Sequence, residues 1–339
     1  MLNKIIIIIL ISYSTACFSL QDDAQVPILL YHTQWAGKCD SSSNDVLALE
    51  RDLKILHENG WTVLPVQWLV DWASGKRDGS TLPDKVVGIT IDDGFDADWI
   101  SNLIHDHECA PLKSAKKVVE AFVHEYKNSL PEHSPHISLF VIASKEARKI
   151  ISPEYMNDNW WAEANAHNHF SIQSHGTDHD FFEIKKPIWD DSMQVILPTS
   201  SLDDGIYQGK MQPQRHISKA SNTNYIAKAS DFIEEKTGSR PTLLAYPMGR
   251  ASDYTQHEYL PNYTSEHGIY AAFCTYNRKD PFLHKKTNLF CIPRLTYKHA
   301  YTTGEELLKF LQRAESDANQ AQKPQNTEGS IEPKNLSTY

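Results

Sequence analysis

The run Val86-Val87-Gly88-Ile89-Thr90-Ile91 is apolar and rich in β-branched residues, and it stops abruptly on Asp92-Asp93-Gly94-Phe95. It reads as a buried strand that delivers two acids to its carboxyl end, which is where α/β proteins place their chemistry. Adjacent carboxylates repel, so keeping both ionised in a half-buried site normally requires a cation, while Gly94 lets the backbone turn sharply beside them. Asp-Gly is also a common surface-turn dipeptide, and this segment alone leaves both readings open.

The rest of the chain repeats a strand-helix rhythm. Val26–His32 reads as a strand ending on a histidine, Asp45–Asn59 as a helix with Val46, Leu49, Leu53 and Leu56 on one face, Trp61–Leu64 as a strand and Val66–Ser74 as a helix. After the Val86–Ile91 strand come a helix over Pro111–Leu130, a strand over His136–Ile142, a helix over Trp160–His169 and a strand over Phe170–Gln173 ending at Ser174-His175. Residues 183–216 read as a polar surface excursion. They are followed by a helix (Tyr225–Lys236), strands at Thr242–Tyr246, Gly268–Thr275 and Phe290–Leu295, and a last helix from Gly304 to Arg313 with a Thr303/Glu306 capping box. Alternation of this kind implies a parallel sheet, and a single α/β barrel over 26–313 with surface insertions is the simplest account. From 315 to 339 the chain is polar and aperiodic and is expected to be a disordered tail.

At 339 residues, 40% hydrophobic and 10% aromatic, the chain can bury a sizeable core. A net charge of -10 argues against nucleic acid or an anionic membrane surface as the main partner. Residues 1–19 have the form of a secretory signal: Lys4 in a short n-region, an apolar Ile5–Ser12 core, and small residues for cleavage near 16–19. That core is shorter than the ~20 residues that span a bilayer. The expectation is therefore an exported protein, periplasmic or extracellular, without a transmembrane span. Ser14-Thr15-Ala16-Cys17 also resembles a lipoprotein cleavage box, which would make Cys17 a lipid anchor. The other cysteines, Cys39, Cys109, Cys274 and Cys291, allow two disulfides in an oxidising compartment or four unpaired thiols, with Cys274 and Cys291 the favoured pair.

A second polar cluster, Ser174-His175-Gly176-Thr177-Asp178-His179, also follows a strand. Two histidines four residues apart can hold one metal ion, and a carboxylate from the Asp92-Asp93 pair completes a two-His, one-carboxylate set with open positions for water and substrate. In a chain with 16 histidines the spacing also arises by chance; the position at a strand end is what raises it.

Thr90-Ile91-Asp92-Asp93-Gly94 resembles the Thr-Phe-Asp-Asp-Gly motif of the polysaccharide deacetylases, the NodB-like carbohydrate esterases. His175-Gly176-Thr177-Asp178-His179 is similar to their His-Ser/Thr-x-x-His motif, and Ala245-Tyr246-Pro247-Met248-Gly249 to their third motif. The opening Ile28-Leu29-Leu30-Tyr31-His32 resembles the subgroup acting on exopolysaccharides such as poly-N-acetylglucosamine. The resemblance implies a distorted (β/α) barrel and a metal-dependent hydrolase removing N-acetyl groups from an amino-sugar polymer. Its cofactor would be one divalent ion, zinc first, with iron, cobalt or nickel also suited. It implies metal ligands Asp93, His175 and His179, with Asp92 as general base. Tyr246 and Pro247 would line the substrate groove and a backbone N–H near Tyr246 would meet the oxyanion, while Trp99, an aromatic near a predicted loop, is expected to stack on a sugar face or else to fill the core. The family's arginine before the third motif is replaced by Ala245, so Arg294 or Arg250 must steady Asp92, with Arg294 favoured for its place after a strand. The usual late general-acid motif is also missing, and His32 is the first candidate, before His284 and His299. An O-acetyl esterase of the xylan type and a non-catalytic carbohydrate-binding barrel are the alternatives.

Overall fold

The computed structural model describes residues 19–35, 42, 44–103, 113–177, 179, 188–190, 195–197, 206–207, 210–211, 219–249, 251 and 255–321. Strand β1 (Ile28–His32), helix α1 (Asp45–Glu58), β2 (Thr62–Val63), α2 (Val66–Ala73) and β3 (Val86–Asp92) follow the expected rhythm. Then come α3 (Ala115–Tyr126), β4 (Ile137–Val141), α4 (Lys145–Ile151), α5 (Trp161–Asn165) and β5 (Phe170–Ser174). Two small antiparallel hairpins pair β6 (Ile188–Asp190) with β7 (Val195–Leu197) and β8 (Ile206–Tyr207) with β9 (Lys210–Met211). Helix α6 (Lys219–Thr237), β10 (Leu243–Ala245), the short α7 (Leu260–Asn262) and α8 (Thr264–His267), β11 (Ala271–Phe273), β12 (Leu295–Thr296) and α9 (Gly304–Ala321) complete the chain.

The main sheet is parallel, in the order β11-β10-β5-β4-β3-β1-β12, with β2 also on β3. The segment before β12 closes it. Ile292 pairs in parallel with Phe273 of β11, and three residues later Leu295 pairs with Leu29 of β1. The result is a distorted (β/α) barrel. The period of two along β3 separates its faces. Val87, Ile89 and Ile91 join an outer core with α1, α3 and α9, built from Leu49, Leu53, Val119 and Leu311. Gly88, Thr90 and Asp92 fall on the other face, where a Cβ on Gly88 would lie 2.7 Å from Ile28 Cδ1 and 3.0 Å from Val66 Cγ2. Helix α1 begins where the Asn44 side chain accepts from the Val46 and Leu47 amides, and Ser114 caps α3 likewise through the Lys117 amide.

Several expectations are corrected at this level. The helix expected over 160–169 is a short turn of helix ending at Asn165, and the strand expected over 290–295 reduces to Leu295–Thr296 with a single bridge at Ile292. The 183–216 excursion contains the two hairpins, because Val195-Ile196-Leu197 and Ile206-Tyr207 are good strand formers. Helix α9 continues over 315–321, where a tail without structure is expected. Polarity there is no bar, since Glu, Gln and Ala are strong helix formers. No helix among the described residues is long and apolar enough to cross a membrane. The signal and lipid-anchor readings, with Cys17, Cys39 and Cys109, lie outside the described residues.

Candidate active site

Strands β1, β3, β5 and β10 deliver their carboxyl ends to one cleft of about 700 Å³. His32 and Asp92 are register partners on β1 and β3, so their side chains start as neighbours. After Asp92 the chain enters left-handed conformation at Asp93 (φ 79°) and Gly94 (φ 76°). Aspartate tolerates this region better than most residues, and the turn swings the Asp93 carboxylate away from that of Asp92. A Cβ on Gly94 would lie 2.8 Å from Val141 Cγ1 and 3.1 Å from Val141 Cα, so the turn is pressed against β4.

Across the sheet, His175 follows β5 and is 2% exposed. Its Nδ1 lies 2.8 Å from the Ala245 carbonyl, which can only accept, so Nδ1 carries the proton and Nε2 is left with a lone pair. His175 Nε2 lies 3.4 Å and His179 Nε2 3.7 Å from Asp93 Oδ1. One ligand atom from each of the three residues lies within 4.8 Å of the others. Donors about 2.1 Å from a common tetrahedral ion are about 3.4 Å apart, so the set fits a metal better than a direct hydrogen bond. The electrostatics agree. Burial, with His175 beside it, lowers His179 to about 4, leaving a neutral donor. Burial also works to lower His175, but Asp92 and Asp93 outweigh it and raise that imidazole: the pocket attracts positive charge.

Asp92 is held differently. Arg294 Nη1 and Nη2 donate to its two oxygens at 2.7 Å each, a bidentate pair between side chains 0% and 3% exposed. The guanidinium sits inside the barrel, with its Cζ 5.8 Å from the centroids of both Phe140 and Phe273. Its Nε donates to the Cys274 carbonyl at 3.1 Å, and Nη1 also reaches Thr90 Oγ1 at 3.2 Å. Burial alone would raise the Asp92 carboxyl; Arg294 reverses that and holds it below the usual carboxylate range. Cys274 is disulfide-bonded to Cys291, 17 residues on, as the sequence suggested.

A sequence model of the polysaccharide deacetylases matches residues 79–272, which carry both acids, both histidines and the third motif. The chain belongs to the polysaccharide deacetylase family. No curated protein sequence matches this deacetylase significantly. Its fold is similar to that of the Streptococcus pyogenes deacetylase PplD solved with acetate (15% identity, TM-score 0.53), covering 85% of this chain and 99% of that one. It is also similar to IcaB from Ammonifex degensii (16% identity, TM-score 0.53, covering 86% and 97%). A third similar fold is a de-N-acetylase from Aggregatibacter actinomycetemcomitans (15% identity, TM-score 0.51, covering 85% and 99%). At such identities these likenesses speak for the fold alone.

The deacetylase fold brings together Asp92, Asp93, His175, His179, His32, Tyr246 and Arg294 at one cleft, and separates others. Trp99 is not a rim residue. It is 6% exposed and packs in the core against Trp160 (6.2 Å) and edge-on to Phe170 (5.3 Å), because large aromatics near loops bury as readily as they line grooves. Pro247 is buried and does not line the cleft, whereas Tyr246 and Met248 on either side of it do. The Tyr246 N–H already donates to the Phe273 carbonyl and its hydroxyl to the Phe290 carbonyl, so its amide cannot receive an oxyanion. His284 lies away from the cleft lining, with Nε2 3.1 Å from Asp280, whereas His299 lines the cleft. Arg250 lies outside the described residues. Asp96 and Asp98, close after the acid pair and readable from the sequence as solvated acids or as support for that pair, are both buried. Asp96 accepts from Trp160 Nε1 and from the Asn157 backbone and side chain, anchoring the loop before α5.

Proposed function

We propose that this deacetylase removes N-acetyl groups from an amino-sugar polysaccharide, with one divalent ion held by Asp93, His175 and His179. The supporting observation is the convergence of those three ligand atoms beside an ion-paired Asp92 in an open cleft. Two imidazoles and a carboxylate suit zinc first, then iron, cobalt or nickel. Bound there, the ion would supply Lewis acidity and a water acidic enough to ionise near neutral pH.

The chain's own residues divide the remaining work. Asp92, kept ionised by Arg294, accepts the proton of the attacking water at its carboxylate. His32, on the adjacent strand, gives a proton to the departing amine nitrogen, a step an amide needs because an amine anion is a poor leaving group. Tyr246 and Met248 form a wall for the sugar next to the acetamide. The Tyr31-His32 opening, now placed beside Asp92, supports an exopolysaccharide of the poly-N-acetylglucosamine type as substrate. The Cys274–Cys291 disulfide supports export to an oxidising compartment, periplasmic or extracellular.

Acetate release from chitin oligomers, poly-N-acetylglucosamine, peptidoglycan and acetylated xylan, comparing wild type with Asp92→Asn, tests the assignment. Activity on an N-acetylated polymer that Asp92→Asn abolishes is expected. Activity confined to xylan would replace it with the O-acetyl esterase reading, and none at all would favour the non-catalytic barrel. Metal analysis should find about one divalent ion per chain, lost in Asp93→Ala and His175→Ala.

A further inference from the structure

His32 is fixed through its neighbours in the chain. Its backbone N–H donates to Asp45 Oδ2 at 2.7 Å, at the start of α1. The next residue, Thr33, donates its hydroxyl to Asp98 Oδ1 at 2.5 Å. Both carboxyls are buried, Asp45 2% and Asp98 0% exposed, although neither belongs to the metal set or its arginine pair. A buried carboxyl is expensive unless partnered, and Asp98 Oδ2 has no hydrogen-bond partner among the described residues.

The placement of the two acids explains the expense. Asp98 lies in the short turn of helix Asp96–Asp98, directly after Asp92-Asp93-Gly94-Phe95, so its bond to Thr33 ties the His32 strand end to the acid turn. Asp45 Oδ1 also meets Lys298 Nζ at 2.5 Å, which ties the same strand end to the turn after β12. Lys298 there has φ 69°, and the following His299 lines the cleft opposite. Three segments far apart in sequence thus meet at the His32 amide and the Thr33 hydroxyl.

We propose that Asp45 and Asp98 are positioning residues that bracket His32 and set the line along which it protonates the leaving amine. This rests on the assignment of His32 as general acid. Burial, reinforced by the charges of Asp93, Asp96 and Asp92, raises Asp98 well above the usual carboxyl range. Asparagine keeps a carbonyl oxygen to accept from the Thr33 hydroxyl and is its conservative substitute.

The test uses two substrates that differ in their need for an acid. An N-acetylglucosamine oligomer must have its amine protonated, whereas p-nitrophenyl acetate releases a stable phenolate without help. Thr33→Val should lower kcat on the oligomer about 10- to 100-fold with little change in KM, leave the aryl acetate rate within about twofold, and retain the metal. Asp45→Ala should behave in the same way, and Asp98→Asn, which keeps the acceptor for Thr33, should stay close to wild type on both substrates. A parallel loss on both substrates in Thr33→Val would reduce the bracket to a structural tie, and an unchanged oligomer rate would remove it altogether. His32→Ala serves as the reference: if it keeps the oligomer rate, the general-acid assignment itself fails, whatever Thr33→Val does.

Discussion

The buried pair between Arg294 and Asp92 invites a quantitative test through Arg294→Met. The substitution keeps an unbranched apolar stem between Phe140 and Phe273 but leaves a carboxylate 2% exposed with no guanidinium. Breaking a buried pair from one side costs about 3–5 kcal/mol, because the surviving charge stays desolvated. The sign for catalysis follows from the same loss. In the wild type the Asp92 carboxyl lies below 3.8, so the stability its ionisation gives is present above that pH and is lost only in strong acid. Without Arg294, burial dominates and drives the carboxyl up. The acid limb of the kcat/KM profile should move towards neutrality. Urea titrations of Arg294→Met, Asp92→Leu and the double variant separate charge from packing. The Cys274 carbonyl loses its donor in both variants that lack Arg294, so that term cancels between them. Removing the stranded charge from the single variant should restore about 2–4 kcal/mol. A double variant no more stable than Arg294→Met would refute the argument, since the cost would then be lost packing.

Gly94→Ala combines a left-handed φ with a Cβ 2.8 Å from Val141 Cγ1, and should cost about 2–3 kcal/mol in a thermal or urea melt. Because Asp93 precedes it, metal affinity should fall as well, read by titration with a chromophoric chelator. The double variant Cys274→Ser with Cys291→Ser opens a 17-residue loop and should lose about 3 kcal/mol; an unchanged melting temperature would show that packing alone holds the loop. His136 is pushed down to about 4, mainly by burial, and its Nδ1 lacks a partner among the described residues. Its unfolded value is near 6.5, so the unfolded chain binds the proton first. Stability should be complete above about 6.5 and fall towards 4, by about 2–3 kcal/mol at pH 4.5. His136→Gln should flatten that slope.

Residues whose place at the cleft is announced by a local pattern are legible in the sequence. Asp92 and Asp93 close an apolar run, His175 and His179 follow another, and Arg294 stands just after an apolar segment. Each signal needs only the strand to be recognised, since the barrel carries every parallel strand end to one face. Trp99 departs from its expected place because an aromatic beside a loop has the same local signature whether it faces a sugar or a core. Pro247 is expected at the groove only from the likeness of the third motif, which fixes the order of residues and not which side chain meets the cleft. Asp45 and Asp98 carried no local signal. Their partners are Thr33, Lys298 and the His32 amide, and only tertiary packing shows that such acids are buried. A serine three residues ahead of a future helical amide, as with Ser144 and Ala147, was the cue available for the unrecognised α4.

Arg294 lies on the segment that joins the two edges of the sheet, 202 residues from the aspartate it serves. The proposed metal ligands Asp93, His175 and His179 all come earlier in the chain and need only β3, β5 and their turns. A chain with only its first strands assembled could therefore gather that set while Asp92 still lacked its guanidinium partner. On the proposed roles, hydrolytic competence would come with closure, when the segment before β12 brings the guanidinium inside. The molecule's chemistry is in this sense a report on its own completion.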